Sequence, residues 1–319
     1  MKAKHIILCL TLLILSGLTA YAIWLAHEAK VKSELPPKID SVKLIAHDYE
    51  LPQHLDFAGE RVPLEMFYIR ERLERELLSN TYFHSNTILL LKRTSRWFPM
   101  MDSILALHDI PADFKYLAMI ESNLTNAVSP AKAVGMWQFI PTTAKEYGLR
   151  IDKEVDMRYN EELETVAACK YLKKSYEKFG SWTLAAVAYN AGNSRVTDFL
   201  EKQKVSSYYD LLMAEETERY IFRILAIKLI TENPEQYGFY ISEHLHYQPY
   251  QYRTVVVTNN IDNLADFAQK EGIHYKLLKI YNPWLRSNTL KVKPGERFEI
   301  KIPIGDQALT HQELIKTND

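Results

Sequence analysis

The chain has 319 residues, 47% of them hydrophobic and 25% charged, which excludes wholesale disorder and leaves room for one large domain or two ordinary ones. Only ten glycines in this length argue for helices over a turn-rich β architecture. The net charge of −1, from 39 basic and 40 acidic side chains, offers no basic excess for nucleic acid, and Cys9 and Cys169 make neither a disulfide framework nor a metal cluster.

Lys2 and Lys4 precede an uncharged run of 21 residues from Ile6 to Ala26, about the length that spans a bilayer as a helix. The run ends close to an A-x-A pattern at Ala20-Tyr21-Ala22, so residues 1–30 read either as an uncleaved anchor or as a cleaved signal peptide. Either way the bulk of the chain is expected beyond the inner membrane, on its periplasmic side. Residues 31–60, with paired prolines in SELPPKID, read as a linker. Helical patterning follows at Met66, Ile69, Leu73 and Leu77 and again at Ile88 to Leu91. Residues 111–233 read as helix punctuated at Ser129-Pro130, Pro141, Gly148, Gly180 and Gly192, and closing at Asn233-Pro234. Beyond Tyr250 the character changes: Thr254 to Thr258 is strand-like, Leu264 to Lys270 helical, and Phe298 to Ile302 alternates. This small module carries nine basic against five acidic side chains over residues 253–301, a mild excess that suits an anionic polymer.

Along PADFKYLAMIES, Pro111 is suited to a helix start, and Phe114, Leu117 and Ala118 form an apolar stripe whose next member is Glu121. A carboxylate on an inward face has its pKa raised by burial, as a general acid requires, although a paired structural glutamate would occupy the same position. Downstream, Gly135 allows close backbone approach before Met136, Trp137, Gln138 and Phe139, and the helix that follows is expected to be capped by Thr142 or Thr143. Ser181 should cap the alanine-rich helix WTLAAVAYNAG, which presents Tyr189 and Asn190 just before a glycine stop. Glu146, Asp152, Glu154 and Asp156 lie off any apolar stripe and fit a solvated surface. Trp97, Trp137 and Trp182 occur at helical spacing, which favours core positions over sugar platforms.

Glu121-Ser122-Asn123, Ser129-Pro130, GMWQFIP (135–141), AYNAG (188–192) and TERYIFRILA (217–226) together resemble lytic transglycosylases with a lysozyme-like domain, most closely the membrane-bound murein transglycosylase D type. The resemblance covers residues 61–240, with its core at 111–233, and implies a mainly α, lysozyme-like fold. It implies that Glu121 is catalytic, that Ser129 lies near the sugar, and that Gln138, Tyr189, Asn190 and Tyr220 line the cleft. The implied reaction cleaves the MurNAc-GlcNAc β-1,4 bond of peptidoglycan through one acid/base glutamate and leaves a 1,6-anhydro end, with no metal and no cofactor. Tyr189 could hold Glu121 by a nearby hydrogen bond. A lysozyme-type hydrolase and a non-catalytic wall-binding protein remain as alternatives. Residues 251–305 resemble a LysM domain of β-α-α-β order, carried by Tyr281-Asn282-Pro283 and Leu290 to Ile302. Its usual glycine-aspartate turn is replaced by Asn259-Asn260-Ile261-Asp262-Asn263, the loop that often contacts N-acetylglucosamine, so the resemblance implies the fold and leaves glycan binding open.

Overall fold

In the computed structural model of the chain, the described residues are Thr19, residues 21–26 and residues 47–308. The expected leader and Cys9 therefore lie largely outside them; Thr19 and residues 21–26 are helical, and among the described residues no helix is long and apolar enough to cross a membrane.

The expected linker extends less far than residue 60. A short antiparallel hairpin, β1 (Asp56–Phe57) and β2 (Glu60–Arg61), turns through Ala58 and Gly59, both at positive φ. Phe57 is fully buried against Phe114, so this segment belongs to the folded body. Lys228 Nζ joins it to the helices by donating to Asp56 Oδ2 at 3.4 Å and Asp113 Oδ2 at 2.8 Å.

Helices α1 (Phe67–Tyr82), α2 (His84–Leu107), α3 (Phe114–Ser122) and α4 (Pro141–Glu146) come next. They are followed by α5 (Glu161–Phe179), α6 (Trp182–Ala191), α7 (Asn193–Gln203) and α8 (Glu215–Glu232). Ile69, Leu73 and Leu77 bury the predicted stripe of α1, whereas Ile88 and Leu89 of α2 stay exposed while Leu90 and Leu91 turn inward. The core sits around α8, whose Tyr220, Ile221, Phe222, Ile224, Leu225, Ala226, Ile227 and Ile230 are buried on every face, the pattern of a central helix.

Caps explain several boundaries. Ser181 accepts from Leu184 N, as its sequence position predicts, and Glu60 adds a carboxylate that accepts from Trp182 N at 2.5 Å and Thr183 N at 2.9 Å. The start of α4 differs from expectation: Ile140, whose side chain has no polar atom, is the cap residue, and Pro141 at the first helical position removes one N–H that would need a partner. Helix α3 begins at Phe114, three residues after Pro111, behind a turn in which Phe114 N donates to Pro111 O.

The C-terminal module has the expected order. Strands β3 (Tyr252–Val257) and β4 (Phe298–Pro303) pair antiparallel over all six positions, with α9 (Leu264–Lys270) and α10 (Tyr275–Tyr281) between them. Asn282 is fully buried and ties the second helix to the last strand, donating to Leu278 O and Lys301 O and accepting from Lys301 N. In the loop that replaces the glycine-aspartate turn, Asn260 Oδ1 accepts from Val292 N and Asn263 Oδ1 from Ala265 N.

Candidate active site

The apolar stripe of α3 places Glu121 where sequence periodicity puts it. Phe114, Leu117 and Ala118 are fully buried, and Glu121 follows one turn later at a partly buried position. The helix then stops abruptly: Asn123 and Leu124 both adopt left-handed backbone, at φ 54°, an uncommon and strained pair for residues with side chains. Ser122 fixes the reversal by donating its hydroxyl to Met136 O at 2.9 Å.

Glu121 stands at the join of two cavities. One, of about 470 Å³, is lined by Ser129, Gln138, Tyr189 and Asn190 among others. The second, of about 400 Å³, lies between α1, α3 and α8 and is lined by Asn80, Asn123, Arg219 and Arg223 among others. Glu121 is the carboxylate in the first; the second adds Glu76, which is buried and holds Arg219 by two bonds of 2.5 and 3.1 Å.

Tyr220, buried on α8, donates its hydroxyl to Glu121 Oε1 at 2.5 Å. Burial raises the Glu121 pKa above the ordinary carboxylate value; the Tyr220 hydrogen bond and the Arg223 charge oppose this without cancelling it. Tyr220 thus makes the direct contact with Glu121. Tyr189, to which sequence reasoning gave that contact, donates to Trp137 O at 2.7 Å and packs its ring edge-on against Trp137, Phe139 and Tyr171.

The remaining expected residues meet around the first cavity. Ser129 Oγ accepts from Ala133 N at 3.0 Å, which leaves its hydroxyl hydrogen to donate. Gln138, itself at φ 52°, spends its amide hydrogens on Ala127 O and Gly135 O, so its remaining acceptor is Oε1. Asn190 Oδ1 accepts from Thr217 Oγ1 at 3.3 Å. Trp137 is fully buried and donates to Thr165, a core position as its spacing suggests.

One supporting residue escaped sequence reasoning. Glu164 of α5, fully buried, accepts from Met136 N at 2.9 Å and Trp137 N at 3.2 Å and so carries the turn 135–138 on its carboxyl group. Burial pushes its pKa well above the usual carboxylate value. Gly135 is obligatory beside it: a Cβ there would lie 2.1 Å from both Arg158 O and Glu164 Oε2, at a backbone φ of 91°. Asp156 also departs from the solvated surface expected of it; it is buried because Arg158 grips it, with Nη2 to Oδ2 at 2.7 Å.

A family model, the transglycosylase SLT domain, matches residues 107–211, and a second, the soluble lytic transglycosylase C-terminal LysM-like domain, matches residues 253–306. Membrane-bound lytic murein transglycosylase D of Escherichia coli K12 is 27% identical over 228 residues, which cover 70% of this chain and 49% of that protein; the counterpart from Escherichia coli O6:H1 gives the same figures. A putative tributyltin chloride resistance protein of Alteromonas sp. strain M-1 is 31% identical over 90 residues, 28% of this chain and 44% of that protein. The chain spans about half the length of the curated relatives it matches. It is a homologue of membrane-bound lytic murein transglycosylase D, mainly helical, in which a lysozyme-like SLT domain precedes a LysM-like domain.

Proposed function

We propose that this chain is a peptidoglycan lytic transglycosylase that cleaves the MurNAc-GlcNAc β-1,4 bond and leaves a 1,6-anhydroMurNAc end, acting on the periplasmic side of the envelope. The observation that carries the reading is the placement of Glu121: a carboxyl with a raised pKa, joined to a buried tyrosine hydroxyl, at the meeting point of two cavities. The identity of the relatives supports the substrate, and the low charge of the leader run supports export.

Glu121 in its protonated form donates to the glycosidic oxygen as the bond to C1 breaks. The muramyl N-acetyl group stabilises the positive charge that develops at C1. Glu121, now a carboxylate accepting from Tyr220, takes the proton of the C6 hydroxyl while that oxygen attacks C1 and closes the anhydro ring. The tethered hydroxyl replaces water because an intramolecular nucleophile has an effective concentration reaching about 10⁵ M or more. Paired-carboxylate glycosidases use a second acid to activate water or attack C1; in this arrangement Glu76, the other carboxylate bordering Glu121's cavities, is committed to Arg219. Ser129 and Gln138 orient the amide and hydroxyls of the sugar, while Tyr189 and Asn190 shape the wall of the cleft.

The test is mass spectrometry of purified peptidoglycan digested with the full chain and with Glu121→Gln. Fragments one water lighter than reducing-end products, present with the native chain and absent with the variant, support the reading. Ordinary reducing ends would point to a lysozyme-type hydrolase, and absence of products from the native chain would overturn catalysis.

A further inference from the structure

The second cavity beside Glu121 holds an arginine whose charge is offset within its walls only when Glu121 is ionised. Two arginines from successive turns of α8 enter it. Arg219 is neutralised by the buried Glu76, whose two oxygens it contacts. Among the described residues Arg223 makes one protein hydrogen bond, from Nη2 to Ile120 O at 3.0 Å, and none of their carboxylates lies within 4.0 Å of its guanidinium. The neighbouring polar groups are neutral and engaged with one another: Asn80 Nδ2 donates to Glu76 O, and Asn123 Nδ2 donates to Asn86 Oδ1. When Glu121 is protonated, this half of the cleft carries an uncompensated positive charge in a partly buried concavity, an arrangement that is costly unless a ligand completes it.

We propose that Arg223 recognises a carboxylate borne by the muramyl unit of the glycan strand, and so serves as a specificity residue that separates muramyl polymers from neutral amino-sugar chains. The inference rests on the proposed substrate class. A planar guanidinium presents paired N–H donors that match a carboxylate, which neither an asparagine nor a backbone amide can do. Peptidoglycan alternates neutral and muramyl sugars, so a strand laid across Glu121 brings a muramyl unit to each cavity within two sugars. The carboxylate has two sources: the lactyl group where the sugar is bare, or the peptide stem where the lactyl group is amidated.

Binding is measured by calorimetry on the full chain carrying Glu121→Gln, which removes turnover and the titration of Glu121 together. The probes are a bare muramyl oligosaccharide, its lactyl methyl ester, the same oligosaccharide with peptide stems, and a chitooligosaccharide of equal length. The expected result is a preference of about tenfold or more for the free carboxylate over the ester, the range of a charge-assisted pair. Adding Arg223→Gln should abolish that preference while leaving chitooligosaccharide binding within about twofold, which also shows that the variant is folded; Arg223→Lys should restore part of it. Preference for the stem-bearing ligand alone, lost in Arg223→Gln, would place the carboxylate on the peptide. Equal losses for charged and neutral ligands, or no preference in the parent, would overturn the proposal. Anhydro ends released by the native chain are a separate observation, so the failure of this inference and the failure of the proposed reaction are distinguishable.

Discussion

A carboxyl group that must give up a proton and then recover one needs a pKa near the working pH, and the surroundings of Glu121 act on it in opposite directions. Burial raises its pKa, while the Tyr220 hydroxyl and the Arg223 charge favour the ionised form. In Glu121→Gln turnover should fall by about 10²–10⁴-fold, the usual contribution of a general acid. The same change should stabilise the fold at neutral pH. A carboxyl whose folded pKa is raised costs stability once ionised; that cost is absent below its unfolded pKa of about 4.3 and grows as pH rises through the folded value. The melting temperature of Glu121→Gln should therefore exceed that of the native chain at pH 7, and the gap should close on acidification to pH 4; a gap independent of pH would contradict the assignment. Tyr220→Phe removes a hydrogen bond to the ionised form, so the Glu121 pKa should climb further. The alkaline limb of the kcat/KM profile, where the acid is lost, should move to higher pH in this variant as turnover falls. A profile that drops without moving would mean that Tyr220 only fills space.

At the scale of elements, the cleft depends on a turn whose backbone is held from outside as well as by its own Trp137 and Gln138 side chains. Residues 135–138 are clamped between the Val134–Phe139 bridge and the Glu164 carboxyl group of α5. Glu164→Ala leaves two buried N–H groups without partners, a loss of about 1–3 kcal/mol for each by the usual penalty, and thermal unfolding should register it. Gly135→Ala should cost about 1–3 kcal/mol in backbone strain alone, with the steric conflict at Glu164 added; an unchanged melt would show that the turn relaxes freely. These elements also mark where sequence reading succeeds and fails. The stripe Phe114, Leu117, Ala118 pointed to Glu121 because one acid interrupts an apolar series. On α5 the buried series Glu161, Glu164, Thr165, Ala168 has the same spacing, yet Glu161, Glu162 and Glu164 together read as the acidic first turn that complements a helix dipole. Within that first turn, local sequence gives no sign of which acids are buried. Nor could it pair Tyr220 with Glu121, whose contact spans 99 residues of chain and exists only after α8 takes the centre of the bundle.

At the scale of the whole molecule, the LysM-like module is fastened to the segment that leads into α5. Asp156 N donates to Trp284 O and Arg286 N to Glu154 O, so the two modules share backbone hydrogen bonds as well as side-chain contacts. Glu154 accepts from Thr289 Oγ1 at 2.6 Å and Lys291 N at 2.8 Å, and Arg150 reaches Glu296 at 2.7 Å. Lys301 of β4 pairs with Glu162 at 2.9 Å, in the first turn of the helix that carries Glu164, and Arg286 stacks on the Tyr159 ring at 4.1 Å. Beneath these contacts Val155 and Leu285 are fully buried in a bridge between the modules. Two domains joined by a flexible tether would melt separately. The interface instead predicts that the SLT and LysM-like domains unfold together, with one calorimetric transition whose enthalpy equals the van't Hoff value. The pair of Arg150 and Glu296 is half-buried, and the sharper probe is Glu154→Ala, which strips an acceptor from Thr289 and Lys291. That variant should lose about 1–3 kcal/mol and lower the melting temperature by about 2–4 °C per kcal/mol, while the transition stays single. A separate, earlier melting step for residues beyond 250 would show that the module is only tethered. Cooperative unfolding carries a consequence for activity: the module braces α5, α5 holds Glu164, and Glu164 holds the turn beside Glu121. Glu154→Ala should then slow turnover even on soluble glycan fragments too short to engage the LysM-like module as a binding surface.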